Sequence, residues 1–152
     1  MQFFFLFIEI RILWQWQYPS KGNTETVQMV IKYSKDFGID IHAKDNDGRT
    51  AWHMACFSGQ TETAQLIIQN SNDFSIDLNA KDNFGRPAWH MACWNGQIET
   101  VQLILKNWKE FGIDIKARKN EILERLKYER EGDEFEEISK MLENTYSQID
   151  IT

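Results

Sequence analysis

A stretch of 37 residues occurs twice in succession, and no other property of the chain restricts its fold as much. Residues 45–60 read DNDGRTAWHMACFSGQ and residues 82–97 read DNFGRPAWHMACWNGQ. Over the full period, 44–80 against 81–117, the copies agree at 23 of 37 positions. So short a unit cannot bury an apolar face alone. It does so by stacking on copies of itself, which is what periods of roughly 20–50 residues signify. The duplication predicts a stack in which each unit touches only its neighbours.

The register reaches further upstream. Residues 22–43 (GNTETVQMVIKYSKDFGIDIHA) match 96–117 (GQIETVQLILKNWKEFGIDIKA) without a gap, so 22–43 is the second half of a partial unit ahead of full units 44–80 and 81–117. Its first half would fall at about residues 8–21, where Pro19 stands and the AWHMAC core is missing. Within a unit, Asn46-Asp47-Gly48 and Asn83-Phe84-Gly85 signal turns. Ala51–Phe57 and Ala88–Trp94 predict short helices closed by Gly59 and Gly96. Thr61–Gln69 and Ile98–Lys106 predict second helices, since Ala64, Ile67 and Ile68, like Val101, Ile104 and Leu105, keep helical spacing.

These residues resemble the ankyrin repeat, whose pattern runs D-x-x-G-x-T-P-L-H-x-A-A-x-x-G-H-x-E-x-V-x-L-L-L and ends near D-V-N-A. Asp45, Gly48, Thr50, His53, Ala55, Gly59, Glu62, Ile67 and Ile68 fall on it, followed by Asp77, Leu78, Asn79 and Ala80. The second unit follows it through Asp82, Gly85, His90, Ala92, Gly96, Glu99, Val101, Ile104 and Leu105, then Asp114, Ile115 and Ala117. The resemblance covers about residues 22–118. It implies an all-α ankyrin-repeat solenoid of helix-turn-helix units joined by turn or finger loops.

Departures from the pattern carry their own expectations. The family period is about 33 residues, so SNDF and WKEF are four extra residues per unit, close to one helical turn. They predict a longer second helix or a bulkier loop on the convex side. Trp52 and Trp89 stand where the family has Leu and require a roomier core, while Ala51 and Ala88 replace its Pro. Pro87 replaces its Thr, so the Thr–His hydrogen bond available to Thr50 and His53 is denied to His90, and the second unit is expected to be the more strained at that corner.

The ends are atypical. Residues 1–21 open with MQFFFLFIEIRILWQWQY, whose apolar run is broken by Glu9 and Arg11. It falls short of the roughly 20 apolar residues of a membrane span and lacks the flanks of a secretory signal. The remaining readings are a cover for the open end of the stack or a gene-start remnant. Residues 119–152 predict a helical capping repeat and tail. Asn120 would cap one helix through about Glu131 with Ile122, Leu123 and Leu126 on one face, and Asp133 would cap another. Phe135, Ile138, Met141 and Leu142 lie 37 residues after Ile98, Val101, Ile104 and Leu105. The outer face is acidic: 119–152 holds 10 acidic and 5 basic side chains, which suits a terminal repeat facing water. Residues 145–152 are expected to fray.

Composition narrows the functions. The formal net charge is −6 and no Lys/Arg patch stands out, so nucleic acid is an unsuitable partner. The two cysteines sit at the same place in the two units, as packed thiols of a reducing cytoplasmic or nuclear compartment would. His53-x-x-Cys56 and His90-x-x-Cys93 could in principle form a metal or redox module. Stacked helices about 8–10 Å apart do not converge on an ion whose ligands lie within about 2.3 Å. No nucleophile–base pairing and no phosphate-binding loop is present, so neither catalysis nor a cofactor is expected.

What remains is recognition of another protein by the concave face. On the ankyrin resemblance the variable positions of that face are Asp47, Arg49, Phe57 and Ser58 in one unit and Phe84, Arg86, Trp94 and Asn95 in the next. Three of these pairs are also places where the two copies differ: Asp47/Phe84, Phe57/Trp94 and Ser58/Asn95. Phe, Trp and Arg are favoured interface anchors, and Phe57, Phe84, Trp94, Arg49 and Arg86 are expected to lie near one another. The expected protein is a monomeric adaptor or scaffold module. The alternative is a non-autonomous piece of a longer array.

Overall fold

The computed structural model of the protein describes residues 23–37, 40–128 and 132–149. They form α1 (Asn23–Phe37), α2 (Ala51–Phe57), α3 (Thr61–Asn70), α4 (Ala88–Trp94), α5 (Ile98–Asn107), α6 (Lys119–Tyr128) and α7 (Asp133–Ile149). Two layers result. The inner helices pack α2 on α4 and α4 on α6, and the outer helices pack α1 on α3, α3 on α5 and α5 on α7. Residues 1–22, including the expected cover and the missing half-unit, lie outside the described residues.

The inner helices are short because their ends are specified. The chain enters α2 and α4 in extended backbone at Thr50 and Pro87. It leaves through Gly59 and Gly96, after which the Gln60 and Gln97 N–H groups reach back to the carbonyls of Ala55 and Ala92 at 3.0 Å. The AWHMAC side chains face both neighbours, so Trp52, His53, Cys56, Ala88, Ala92 and Cys93 are almost wholly buried. Burial pushes both thiols up, and at Cys56 the nearby Cys93 adds to the effect. They stay protonated in the folded protein.

The four extra residues per unit continue the outer helix by one irregular turn. Ser71 N–H bonds the Ile68 carbonyl at 3.1 Å, Phe74 N–H the Asn70 carbonyl at 3.2 Å, and Ile76 N–H returns to Ser71 at 2.8 Å. The second unit repeats the last two contacts at Phe111–Asn107 and Ile113–Trp108. The turn closes on a left-handed residue, Ser75 (φ 53°) in one unit and Gly112 (φ 64°) in the other. A left-handed residue with a Cβ costs about 1–2 kcal/mol, partly offset by the lower unfolded-state freedom of a non-glycine. Ser75→Gly is therefore expected to stabilise the fold by about 0.5–1 kcal/mol, measured by urea unfolding.

The C-terminal region extends both layers past the second unit. α6 takes the inner position and α7 the outer one, with Ile122, Ile138 and Leu142 fully buried. Two boundaries differ from expectation. Asn120 lies inside α6, which starts at Lys119 after a left-handed Arg118 (φ 60°), while residues 129–131 are outside the described residues. And α7 does not fray at 145. It runs to Ile149 because Tyr146 is buried and its hydroxyl donates to the Ile115 carbonyl at 2.7 Å.

Candidate functional site

Each full unit ends its finger in the same aspartate-centred turn. Asp45 Oδ1 accepts the N–H groups of Asp47 and Arg49 at 2.9 and 2.8 Å, and the Gly48 N–H bonds the Asp45 carbonyl at 2.9 Å. Asp82 does the same for Phe84 and Arg86 at 2.9 and 2.8 Å. The arginine side chain then folds back on the aspartate: Arg49 Nε to Asp45 at 2.7 Å, Arg86 Nε to Asp82 at 2.8 Å. The Asp82 side chain is fully buried. Burial alone would raise its pKa, but the Arg86 guanidinium and the N–H groups of Arg86 and Phe84 outweigh that and hold it below the ordinary carboxylate value.

The two fingers are stitched to each other. Asn83 donates its N–H to the Asp47 carbonyl at 2.9 Å and its amide to the Asn46 carbonyl at 3.1 Å. Gly48 is required at this join. A Cβ there would stand 3.0 Å from the Asn83 backbone nitrogen and closer still to its side chain. Where a third finger would follow, Arg118 substitutes, donating Nη2 to the Phe84 carbonyl at 2.7 Å and Nε to the Gly85 carbonyl at 3.1 Å.

On this frame the eight candidate residues separate into two rows. At the finger tips, Asp47 pairs with Arg49 at 2.9 Å, and the Arg86 guanidinium lies over the Phe84 ring, 4.7 Å from its centre. Phe84 is 60% exposed. At the C-terminal ends of the inner helices, Phe57 is exposed, Ser58 is half-buried, and Asn95 turns its amide back to the Met91 carbonyl at 2.8 Å. Trp94 is half-buried between the His90 ring, stacked at 5.0 Å, and the Arg125 guanidinium, 3.7 Å from its centre. Phe84 therefore belongs with Arg86, and Trp94 with His90 and Arg125.

Three side chains of this face escaped the sequence reading. Arg118 occupies the register position of Lys81, and only the change of residue type could have drawn attention to it. Arg125 and Tyr128 belong to a helix whose register has drifted from the 37-residue period. Tyr128, at the end of α6, is 87% exposed and adds a third aromatic to the helix-end row.

The histidines behind the fingers differ as the Thr50/Pro87 change predicts. His53 Nδ1 accepts from the Thr50 N–H at 3.2 Å and lies 2.9 Å from its hydroxyl, leaving Nε2 to donate to the Arg86 carbonyl at 3.2 Å. His90 has neither bond. Both its ring nitrogens are buried without a hydrogen-bond partner among the described residues, and Nε2 stands 3.4 Å from a Glu121 carboxylate oxygen. Pro87 (φ −75°) is at ease in its own backbone, so the corner shows unpaired nitrogens rather than a distorted chain.

Burial lowers both histidine pKa values, at His90 against the pull of Glu121 and with help from Arg118 and Arg86. The unfolded chain therefore takes up protons more readily than the folded one. Stability is expected to be full above the ordinary histidine value of about 6.5 and to fall as pH drops below it. Urea midpoints at a series of pH values check this, and His90→Gln should flatten the slope.

The decisive match is to a family model described as ankyrin repeats, in three copies, over residues 17–119, two thirds of the chain. The chain belongs to the ankyrin repeat family. Ankyrin repeats are in general protein–protein interaction modules, and the helical solenoid described above is their architecture. No curated protein matches the chain significantly. Among the described residues, no ankyrin helix here is long and apolar enough to cross a membrane.

Proposed function

We propose that this ankyrin array is a monomeric adaptor or scaffold module that binds another protein through its concave face, without catalysis, cofactor or nucleic acid. The observation that carries the reading is Phe84. It is an aromatic side chain left 60% exposed at the tip of a finger fixed on three sides, by Asp82, Asn83 and Arg118. An aromatic ring held in a fixed position beside an arginine is the kind of side chain that anchors protein interfaces. The helix-end row of Phe57, Trp94 with Arg125, and Tyr128 supports the same reading, since aromatic and arginine side chains are typical anchors. Asp47, Arg49, Ser58, Arg86 and Asn95 would form the polar surround.

A setting inside the cell, cytoplasmic or nuclear, accords with two buried free thiols. The same burial, with both His53 nitrogens already engaged, argues against a metal or redox module. The test is affinity for a partner recovered with the full chain as bait. Phe84→Ala and Trp94→Ala, each checked for an unchanged far-ultraviolet spectrum, should together weaken binding at least about tenfold. Unchanged affinity would place the contact elsewhere.

A further inference from the structure

Charge is divided unequally between the two layers. The segments that make the fingers and the inner helices, 44–57, 81–94 and 118–128, hold 8 basic and 5 acidic side chains. Those that make α3, α5 and α7 with their loops, 58–80, 95–117 and 132–149, hold 4 basic and 11 acidic ones. All four arginines of the described residues, Arg49, Arg86, Arg118 and Arg125, fall in the first group. A chain that is negative as a whole thus carries a positive surplus on the side of Phe84 and Trp94.

The acids on that side do not oppose an incoming carboxylate as strongly as their number implies. Asp45 and Asp47 stand beside Arg49, Asp82 beside Arg86 and Glu121 beside Arg118, so each is neutralised where it sits. Two arginines are also held against rings, Arg86 over Phe84 at 4.7 Å and Arg125 over Trp94 at 3.7 Å. A guanidinium already fixed on a ring loses little further freedom when a carboxylate arrives. A surplus this small, interleaved with carboxylates, is no track for a phosphate backbone. It does orient an acidic protein segment, which the acidic outer layer repels from the opposite side. A basic segment would be drawn to the outer layer instead.

We propose that the partner of the concave face is an acidic segment of another protein, which sets apolar side chains against Phe84 and Trp94 and carboxylates toward Arg86 and Arg125. This rests on the concave face being the binding face.

The test selects short random peptides, displayed on phage, on the immobilised full chain. The expected winners combine Asp and Glu with apolar residues. A synthetic copy of the most enriched peptide should lose affinity at least about tenfold as salt rises from about 0.05 M to about 0.5 M. Arg125→Gln should weaken it at least about fivefold, and Phe84→Ala with Trp94→Ala should abolish its binding. Acidic peptides that the two alanine variants leave unaffected would overturn the proposal together with the face on which it rests. Neutral or basic peptides that the same variants abolish would keep the face and overturn the acidic partner alone. Affinity unchanged by salt or by Arg125→Gln would do the same. Recovery of no peptide would overturn the proposal, and so would tighter binding of a single-stranded oligonucleotide than of any peptide. Concentration-dependent dimers in sedimentation would overturn it too, since the acidic α7 of a second copy would then be the occupant.

Discussion

Asp82→Ala is expected to cost the fold roughly 2–4 kcal/mol, measured by urea unfolding, the range for breaking a buried, hydrogen-bonded charge. The carboxylate is the hub of the second finger: it receives two backbone N–H groups and the Arg86 guanidinium with no exposure of its own. Asp45→Ala should cost clearly less, although it removes the same turn contacts. Asp45 is a third exposed, and Arg49 keeps Asp47 at 2.9 Å as a second counter-ion. Among the described residues Arg86 has no such alternative once Asp82 is removed. The pH dependence has a definite sign. Because the folded pKa of Asp82 is depressed, its contribution is complete above the ordinary carboxylate value of 3.8 and disappears as pH falls through the lower folded value.

Trp52→Ala should be comparably severe, roughly 3–5 kcal/mol, since the side chain is wholly buried in the core. The more telling comparison is between phenylalanine variants. Trp52 Nε1 donates to the Leu78 carbonyl at 3.0 Å, whereas Trp89 Nε1 is buried without a partner among the described residues. The carbonyl equivalent to Leu78 is that of Ile115, and the Tyr146 hydroxyl has taken it. Trp52→Phe is therefore expected to cost about 1 kcal/mol more than Trp89→Phe, the difference being one lost hydrogen bond. Equal costs in thermal or urea unfolding would show that the bond is immaterial.

The layered helices were legible in the sequence because the constraint producing them, apolar spacing repeated every 37 residues, acts within each unit. The loss of the Thr–His bond at Pro87 was legible for the same reason: it follows from a proline's missing N–H and hydroxyl three residues before His90. What escaped notice depends on partners outside the period. Tyr146 holds down the end of α7 through a carbonyl 31 residues away, so a stretch that looked set to fray is anchored. Arg118 closes the last finger because a left-handed turn sends the chain into α6 instead of a third finger. The candidate residues were assigned to one surface, but spacing alone could not say what each ring touches: Phe84 meets Arg86, and Trp94 meets His90 and Arg125. Asn95 and Arg86 also proved to hold their own turns together as well as face outward.

The links between the described finger turns end on main-chain carbonyls: Asn83 on Asn46 and Asp47, Arg118 on Phe84 and Gly85. A carbonyl is the same whatever side chain its residue carries. The tips at positions 47 and 84 are thus free to diversify while the seam beneath them is inherited unchanged. That separation lets such an array trade one target for another by drift at two positions, and a library randomised there alone would remain largely folded.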